Sequence, residues 1–348
     1  MDDILIRRVG RAGRITLNRA RAMNALTYDM CLAIEAALDA WRDDAQVALV
    51  VIDAAPGKAF CAGGDIQQMY RSATAGDFAY GQRFWADEYR MNAKIAAFPK
   101  PYVALMQGFT MGGGVGVSCH GSHRIVGTTS QIAMPECGIG LVPDVGGSYL
   151  LASAPGHIGE YLGITSARMS GADAIYAGFA DSLIPEACWL ELIEILEKTG
   201  DVATIDKFVS PSGESALRAS RNVIDTVFSA PSLAEIEQSL LQIPVELSQN
   251  ALKSLRRNSP LSAAVTLEMI RNLRPEPDIR RALAQEYRVT SRAAEHGDFI
   301  EGIRAAIIDK DRAPKWKHRS VAEVTASEIS FMLAPLGDKE LKIEEELS

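Results

Sequence analysis

The chain has 348 residues, 47% hydrophobic and 23% charged, with 36 basic and 44 acidic side chains and a formal charge of −8. That length buries a large core, as one domain or one domain with a helical appendage, and the composition is that of an ordinary globular protein. The acidic balance argues against a nucleic-acid partner, no apolar run reaches membrane-spanning length, and the five scattered cysteines lack the C-x-x-C spacing of a zinc or redox site.

The start, Met1-Asp2-Asp3-Ile4, has neither the basic flank nor the long apolar run of a signal peptide and predicts a cytoplasmic protein. Ile4 to Val9 and Arg14 to Leu17 read as two strands of a hairpin around Gly10 to Gly13. Thr27 is an expected N-cap for a helix through about Trp41, with Met30, Ile34, Ala37, Leu38 and Trp41 on one face. Val47 to Ile52 is a continuous apolar strand. Strand, glycine-containing loop and helix then alternate over residues 50–70 and 102–120, which predicts an α/β fold of repeated β-β-α or βαβ units.

Met111-Gly112-Gly113-Gly114-Val115-Gly116 follows the strand-like run Tyr102 to Met106 and opens a helix of small residues. Free N–H groups there can face a developing oxyanion, and Glu136 and Asp144, in Met134-Pro135-Glu136 and Pro143-Asp144-Val145-Gly146-Gly147, supply carboxylates close behind. A carboxylate beside such a hole can take a proton, activate water or attack a carbonyl, so acyl chemistry leads. After about Leu183 strand signals vanish. Helices are expected over Glu186–Lys198, Gly213–Phe228, Ser232–Gln242, Pro244–Arg257, Ser262–Leu273, Ile279–Glu295 and Phe299–Ile308, with charged residues after Trp316 fraying. The predicted organisation is a core over 1–184, a helical region over 185–318 covering the active site, and a charged tail over 319–348.

Other motifs carry less. The glycines at 112, 114 and 116 lack the full G-x-G-x-x-G spacing of a nicotinamide site, and His120 and His123 lack partners at metal-ligand spacing. Ser118 stands outside a G-x-S-x-G elbow, and Cys61 and Cys137 read as small apolar filler.

Four segments together resemble the crotonase, or enoyl-CoA hydratase/isomerase, superfamily: Leu17-Asn18-Arg19 with Asn24-Ala25-Leu26, Lys58 to Ile66, the glycine run at 111–116, and Ser170 to Ala174. Glu286-Tyr287-Arg288 and the stretch from Asp298 to Trp316 resemble the 3-hydroxyisobutyryl-CoA hydrolases within it, as does Pro143 to Gly147. The resemblance implies a crotonase-like fold of repeated β-β-α units with a helical C-terminal region, and an acyl-CoA substrate with no separate cofactor or metal. It also makes a homo-oligomer the assembly to test.

For the site, the resemblance implies an oxyanion hole from the backbone N–H groups of Ala62 and Gly113, with coenzyme A lying along Ala62, Gly63, Gly64, Asp65 and Ile66. Hydratases of this superfamily carry a first glutamate just after the glycine run, where this chain has Gly116; the second acidic position is Glu136, and Asp144 is a further carboxylate eight residues on. Glu88 matches an acidic position the hydrolase branch uses to hold substrate. Lys58 is a weak candidate for the coenzyme A phosphates, and Phe299 either covers the pantetheine arm or belongs to the core. The implied reaction is hydrolysis of 3-hydroxyisobutyryl-CoA, as in valine breakdown. A hydratase or isomerase of the same fold, and a catalytically silent acyl-CoA-binding protein, are the alternatives.

Overall fold

The computed structural model describes residues 2–343. Its ten strands are β1 (Ile4–Val9), β2 (Ala12–Leu17), β3 (Leu49–Ala54), β4 (Ala59–Cys61), β5 (Tyr102–Met106), β6 (Phe109–Met111), β7 (His123–Val126), β8 (Gln131–Ala133), β9 (Met169–Ser170) and β10 (Ser182–Leu183). They form a six-stranded sheet ordered β1-β2-β3-β5-β7-β10 and a four-stranded sheet ordered β4-β6-β8-β9. Only β1–β2 and β8–β9 pair antiparallel; the other pairings are parallel.

Alternation along the central strands of the larger sheet explains its two buried faces. Val50, Ile52, Ala104 and Met106 point into the main core, while Leu49, Val51, Val103 and Leu105 point into a second cluster with Trp189, Leu192 and Leu196. The strand expected from Val47 starts two residues later, because Val47 closes a turn onto Asp44 and the ladder with β2 runs from Ala12↔Leu49 to Leu17↔Ala54.

The helices of the first half are α1 (Tyr28–Arg42), α2 (Gln67–Thr74), α3 (Ala79–Ala96), α4 (Gly113–Ser118), α5 (Gly147–Ser153), α6 (Ile158–Thr165) and α7 (Gly171–Ala177). The Thr27 hydroxyl caps α1 by accepting from the Met30 N–H at 3.2 Å, and the five predicted apolar positions are buried. Beyond β10 come α8 (Trp189–Thr199), α9 (Ala216–Ala219), α10 (Arg221–Phe228), α11 (Leu233–Gln242), α12 (Glu246–Arg257), α13 (Pro260–Leu273), α14 (Ile279–His296), α15 (Phe299–Ile303) and α16 (Ala326–Leu333).

Three expectations for this half change. The helix foreseen over 213–228 breaks at Ser220, and α15 passes into a π-helical turn, Arg304–Ile308. Residues after Trp316 do not fray within the described range: a Thr325–Glu328 capping box starts α16, whose Met332 packs with Val142, Leu261 and Val289. One continuous core runs from the sheets into α10, α13 and α14, so the C-terminal helices rest directly on the strand layers. No helix among the described residues is long and apolar enough to cross a membrane.

Candidate active site

Because β4, β6 and β8 are parallel neighbours, their C-terminal ends lie along one edge of the smaller sheet. Each runs straight into a segment singled out from the sequence: β4 into Ala62 to Ile66, β6 into Gly112 and α4, and β8 into Met134-Pro135 and the 3₁₀ turn Glu136–Ile139. Ligand sites in parallel α/β layers form at such strand ends, where loops converge and backbone groups are unpaired. A cavity of about 590 Å³ opens there. It brings together Ala62 to Ile66, Gly113, Glu88, Glu136 and Asp144, all expected from the sequence.

The donor assignment changes in one respect. The Ala62 N–H does not face the cavity, since it donates to the Met23 carbonyl at 3.0 Å. The Asp65 N–H is likewise tied to Leu26, in a short parallel bridge between Leu26 and Gly64. Gly64 N–H lies between these two ties without an acceptor among the described residues, and its nitrogen is 3.3 Å from where a Gly113 side chain would begin. Gly113 opens α4 after Gly112, whose φ of +49° turns the chain from strand to helix. Gly64 and Gly113 are therefore the pair of facing donors, with glycine favoured because a Cβ at 113 would crowd the Glu88 carboxylate at 3.0 Å.

Around these donors stand buried acids. Glu136, Asp144 and Glu88 are 6%, 5% and 3% exposed, so each is shielded from bulk water yet borders the cavity. Burial pushes the Asp144 carboxyl up to about 7, against the hydrogen bond it accepts from the Tyr89 hydroxyl at 2.8 Å. Burial first, and the Asp144 charge second, raise Glu136 and Glu88 well above the carboxylate range. Glu88 Oε1 and Glu136 Oε2 have no partner among the described residues, so both keep a free valence toward a ligand. Such a cluster exchanges protons near neutral pH.

Position 116 is shut. A Cβ there would lie 2.8 Å from the Asn92 amide nitrogen and 2.8 Å from Val145 Cβ, so no glutamate fits without moving both. Val145 is itself held at a φ of +54°, a conformation costing a β-branched residue roughly 1–3 kcal/mol. His120 Nε2 lies 2.7 Å from the Val145 carbonyl, and burial keeps that imidazole neutral down to about 4. His120 is thereby a structural donor to the turn that carries Asp144.

The mouth of the cavity adds residues the sequence did not flag. Arg21 and Lys310 line it without a carboxylate partner among the described residues, and Arg19 is paired with Asp65 at 2.7 Å. Lys58 is exposed and does not border the cavity, which displaces it as the phosphate candidate. Phe299 is both core and wall: fully buried, it packs on Trp85 at 5.6 Å between ring centres, and both rings line the cavity. Lys310 lies in the stretch that resembles the hydrolases but drew no role from it, and Tyr89 drew none either, because both roles depend on which helix lies across the sheet. Burial lifts the Cys61 and Cys137 thiols to about 12, in keeping with filler.

The enoyl-CoA hydratase/isomerase family matches over residues 12–333. A mitochondrial 3-hydroxyisobutyryl-CoA hydrolase of Danio rerio is 37% identical over 98% of this chain and 92% of its own length; the Homo sapiens protein of that name is 35% identical over 98% and 91%. Among solved structures, an enoyl-CoA hydratase from Rhodobacter sphaeroides superposes with a TM-score of 0.95 at 56% identity, covering 98% of this chain and 100% of that one. A carnitinyl-CoA dehydratase from Mycobacterium thermoresistibile superposes with a TM-score of 0.95 at 40% identity, covering 99% and 100%. With matching fold, strand-end donors and near full-length relatives, this chain belongs to the crotonase, or enoyl-CoA hydratase/isomerase, family.

Proposed function

We propose that this protein hydrolyses a short 3-hydroxyacyl-CoA thioester, with 3-hydroxyisobutyryl-CoA the foremost substrate, to the free hydroxy acid and coenzyme A. One observation carries the reading: Glu136 and Asp144 line the same cavity as two free backbone donors while position 116 is closed to a second hydratase-type glutamate. The 3-hydroxyisobutyryl-CoA hydrolases similar to this chain over nearly their full lengths point the same way.

In this reading the thioester oxygen lies between the N–H groups of Gly64 and Gly113, where negative charge forms as the carbonyl carbon becomes tetrahedral. Glu136 and Asp144 share a proton near neutral pH. When the shared proton sits on Asp144, Glu136 activates water as general base or attacks to give a mixed anhydride that water then opens, and Asp144, held through Tyr89, returns that proton to the departing thiolate. Glu88 receives the substrate hydroxyl. Arg21 and Lys310 meet the coenzyme A phosphates, and Trp85 and Phe299 wall the acyl end. No metal or further cofactor enters this scheme.

A second reading, hydration of an enoyl-CoA, is favoured by the Rhodobacter sphaeroides structure solved as a hydratase. Thiol release from 3-hydroxyisobutyryl-CoA, run beside crotonyl-CoA hydration, separates the two. We expect fast coenzyme A release with little hydration, and a loss of roughly 100- to 10,000-fold in Glu136→Gln. Hydration without thiol release would sink the hydrolase reading, and binding without either reaction would favour a silent acyl-CoA-binding protein.

A further inference from the structure

Behind the proposed catalytic pair lies a fourth acid, Glu286 in the middle of α14, fully buried and outside the cavity lining. Its two oxygens are committed. Oε2 accepts the Gly146 N–H at 2.8 Å, and Oε1 accepts the Ser148 N–H at 2.9 Å together with the Ser148 hydroxyl. These donors belong to the turn that starts two residues after Asp144 and opens α5, where Gly146 has a φ of +78°. A helix start leaves its N–H groups orphaned, and Glu286 satisfies two of them from an element more than a hundred residues away.

We infer that Glu286 is a positioning residue for the reaction, a clamp by which α14 holds the Asp144-Val145-Gly146 turn so that Asp144 faces the substrate. The geometry requires such a clamp. Val145 sits in the left-handed region, which a valine leaves unless its neighbours are tied on both sides. His120 holds the Val145 carbonyl, and Glu286 holds the next N–H in the chain. Loss of the Glu286 bonds frees the turn to relax, and the Asp144 carboxyl turns away from the donors.

The clamp also bears on proton affinity. Groups facing this cluster are Glu88 and Tyr89 from α3, Glu136 from its 3₁₀ turn, Asp144, Glu286 from α14, and neutral His120. None is a cation. Burial lifts Glu286 to about 8, partly opposed by its three donors, and its charge in turn raises Glu136. Because Glu286 holds its proton to about 8, Glu286→Gln removes hydrogen-bond acceptors rather than a charge near neutral pH, so the pH profile of turnover should stay in place while kcat falls.

The catalytic consequence rests on the proposed roles of Asp144 and Glu136; the clamp itself does not. The test compares wild type, Glu286→Gln and Ser148→Ala in steady-state turnover against pH, with hydrogen exchange of the amides at 145–148. Glu286→Gln keeps the shape but sets an amide N–H against Gly146. We expect at least about a tenfold fall in kcat with KM within about threefold, limbs of the pH profile left in place, and faster exchange at Gly146 and Ser148. Ser148→Ala, which removes one neutral bond, serves if Glu286→Gln does not fold; it should lower kcat less and speed exchange locally. Unchanged kcat and exchange in the folded variant, or a KM that rises as much as kcat falls, overturn the inference. If wild type hydrates crotonyl-CoA and releases no thiol, the hydrolase reading has failed; the clamp is then judged on the hydration rate and on exchange.

Discussion

At position 116 the absence of a side chain bears on the proposed reaction. In Gly116 the missing Cβ is the space taken by Asn92 and Val145, so reintroducing an acid there does not rebuild a hydratase. Gly116→Ala should cost about 1–3 kcal/mol from overpacking, measured by denaturant unfolding, and Gly116→Glu more. Crotonyl-CoA hydration appearing in a folded Gly116→Glu protein would overturn this account of the site. The neighbouring Gly112 is constrained differently: a Cβ there would lie 2.6 Å from Glu136 Oε1, so this glycine protects the carboxylate's position rather than the packing beneath it. Ala62 is the counterexample. The family resemblance implied an oxyanion donor there, but pairing with Met23 to Leu26 had already used its N–H.

Between residue and molecule, the segment after α15 is the element that closes the cavity. Its π-helical turn ends with the Asp309 N–H donating to the Arg304 carbonyl at 2.8 Å, and Lys310 and Arg312 follow with φ of +58° and +55°. One side chain braces that irregular path at four points: the Arg304 guanidinium bonds Glu301, Asp309, Asp311 and the Ala313 carbonyl. Ala306, Ile307 and Lys310, which border the cavity, are carried on this bracket. Arg304→Ala should raise KM for the acyl-CoA several-fold with a smaller change in kcat, and speed amide exchange over 304–313. Because the bracket is solvent-facing, added salt should weaken wild-type binding in the same direction. A KM unmoved by the substitution would show that the segment holds its path without it.

Across the whole molecule, four buried acids with no cation among them set the pH dependence of stability. Asp144 and Glu286, with ordinary values of 3.8 and 4.5, hold their protons to about 7 and about 8 when folded, and Glu88 and Glu136 shift the same way. Between those limits the folded state binds more protons than the unfolded one, so stability falls as pH rises. His120 acts oppositely between 6.5 and about 4, and Glu186 and Glu328, lowered to about 2, contribute stability that is lost as pH falls below 4.5. We expect Tm by calorimetry to peak near about pH 5 and decline toward pH ~9, more shallowly in Asp144→Asn. A Tm that climbs from pH 5 to 8 would contradict the burial of this cluster as a set of protonated acids.

Local chemistry made much of this readable in the sequence. Thr27 and the apolar spacing of Met30 to Trp41 specify α1; apolar runs without polar alternation specify strands buried on both faces; and Gly112-Gly113 after a strand marks a donor turn, because only glycine passes through that backbone region at close quarters. Glu136 and Asp144 are named from motif context and Glu88 and Gly113 from the family resemblance, and all four border one cavity. What tertiary structure alone decided is which groups are left unpaired and what lies behind them. Ala62 gave up its N–H to a distant carbonyl while Gly64 kept its own; Arg21 and Lys310, rather than Lys58, reached the cavity mouth; α16 packed where charge suggested fraying; and Glu286 on α14 met the turn after Asp144. The reason is that propensity and spacing act over a few residues, whereas hydrogen-bond satisfaction and burial depend on segments a hundred or more positions apart, which only the assembled fold brings into contact.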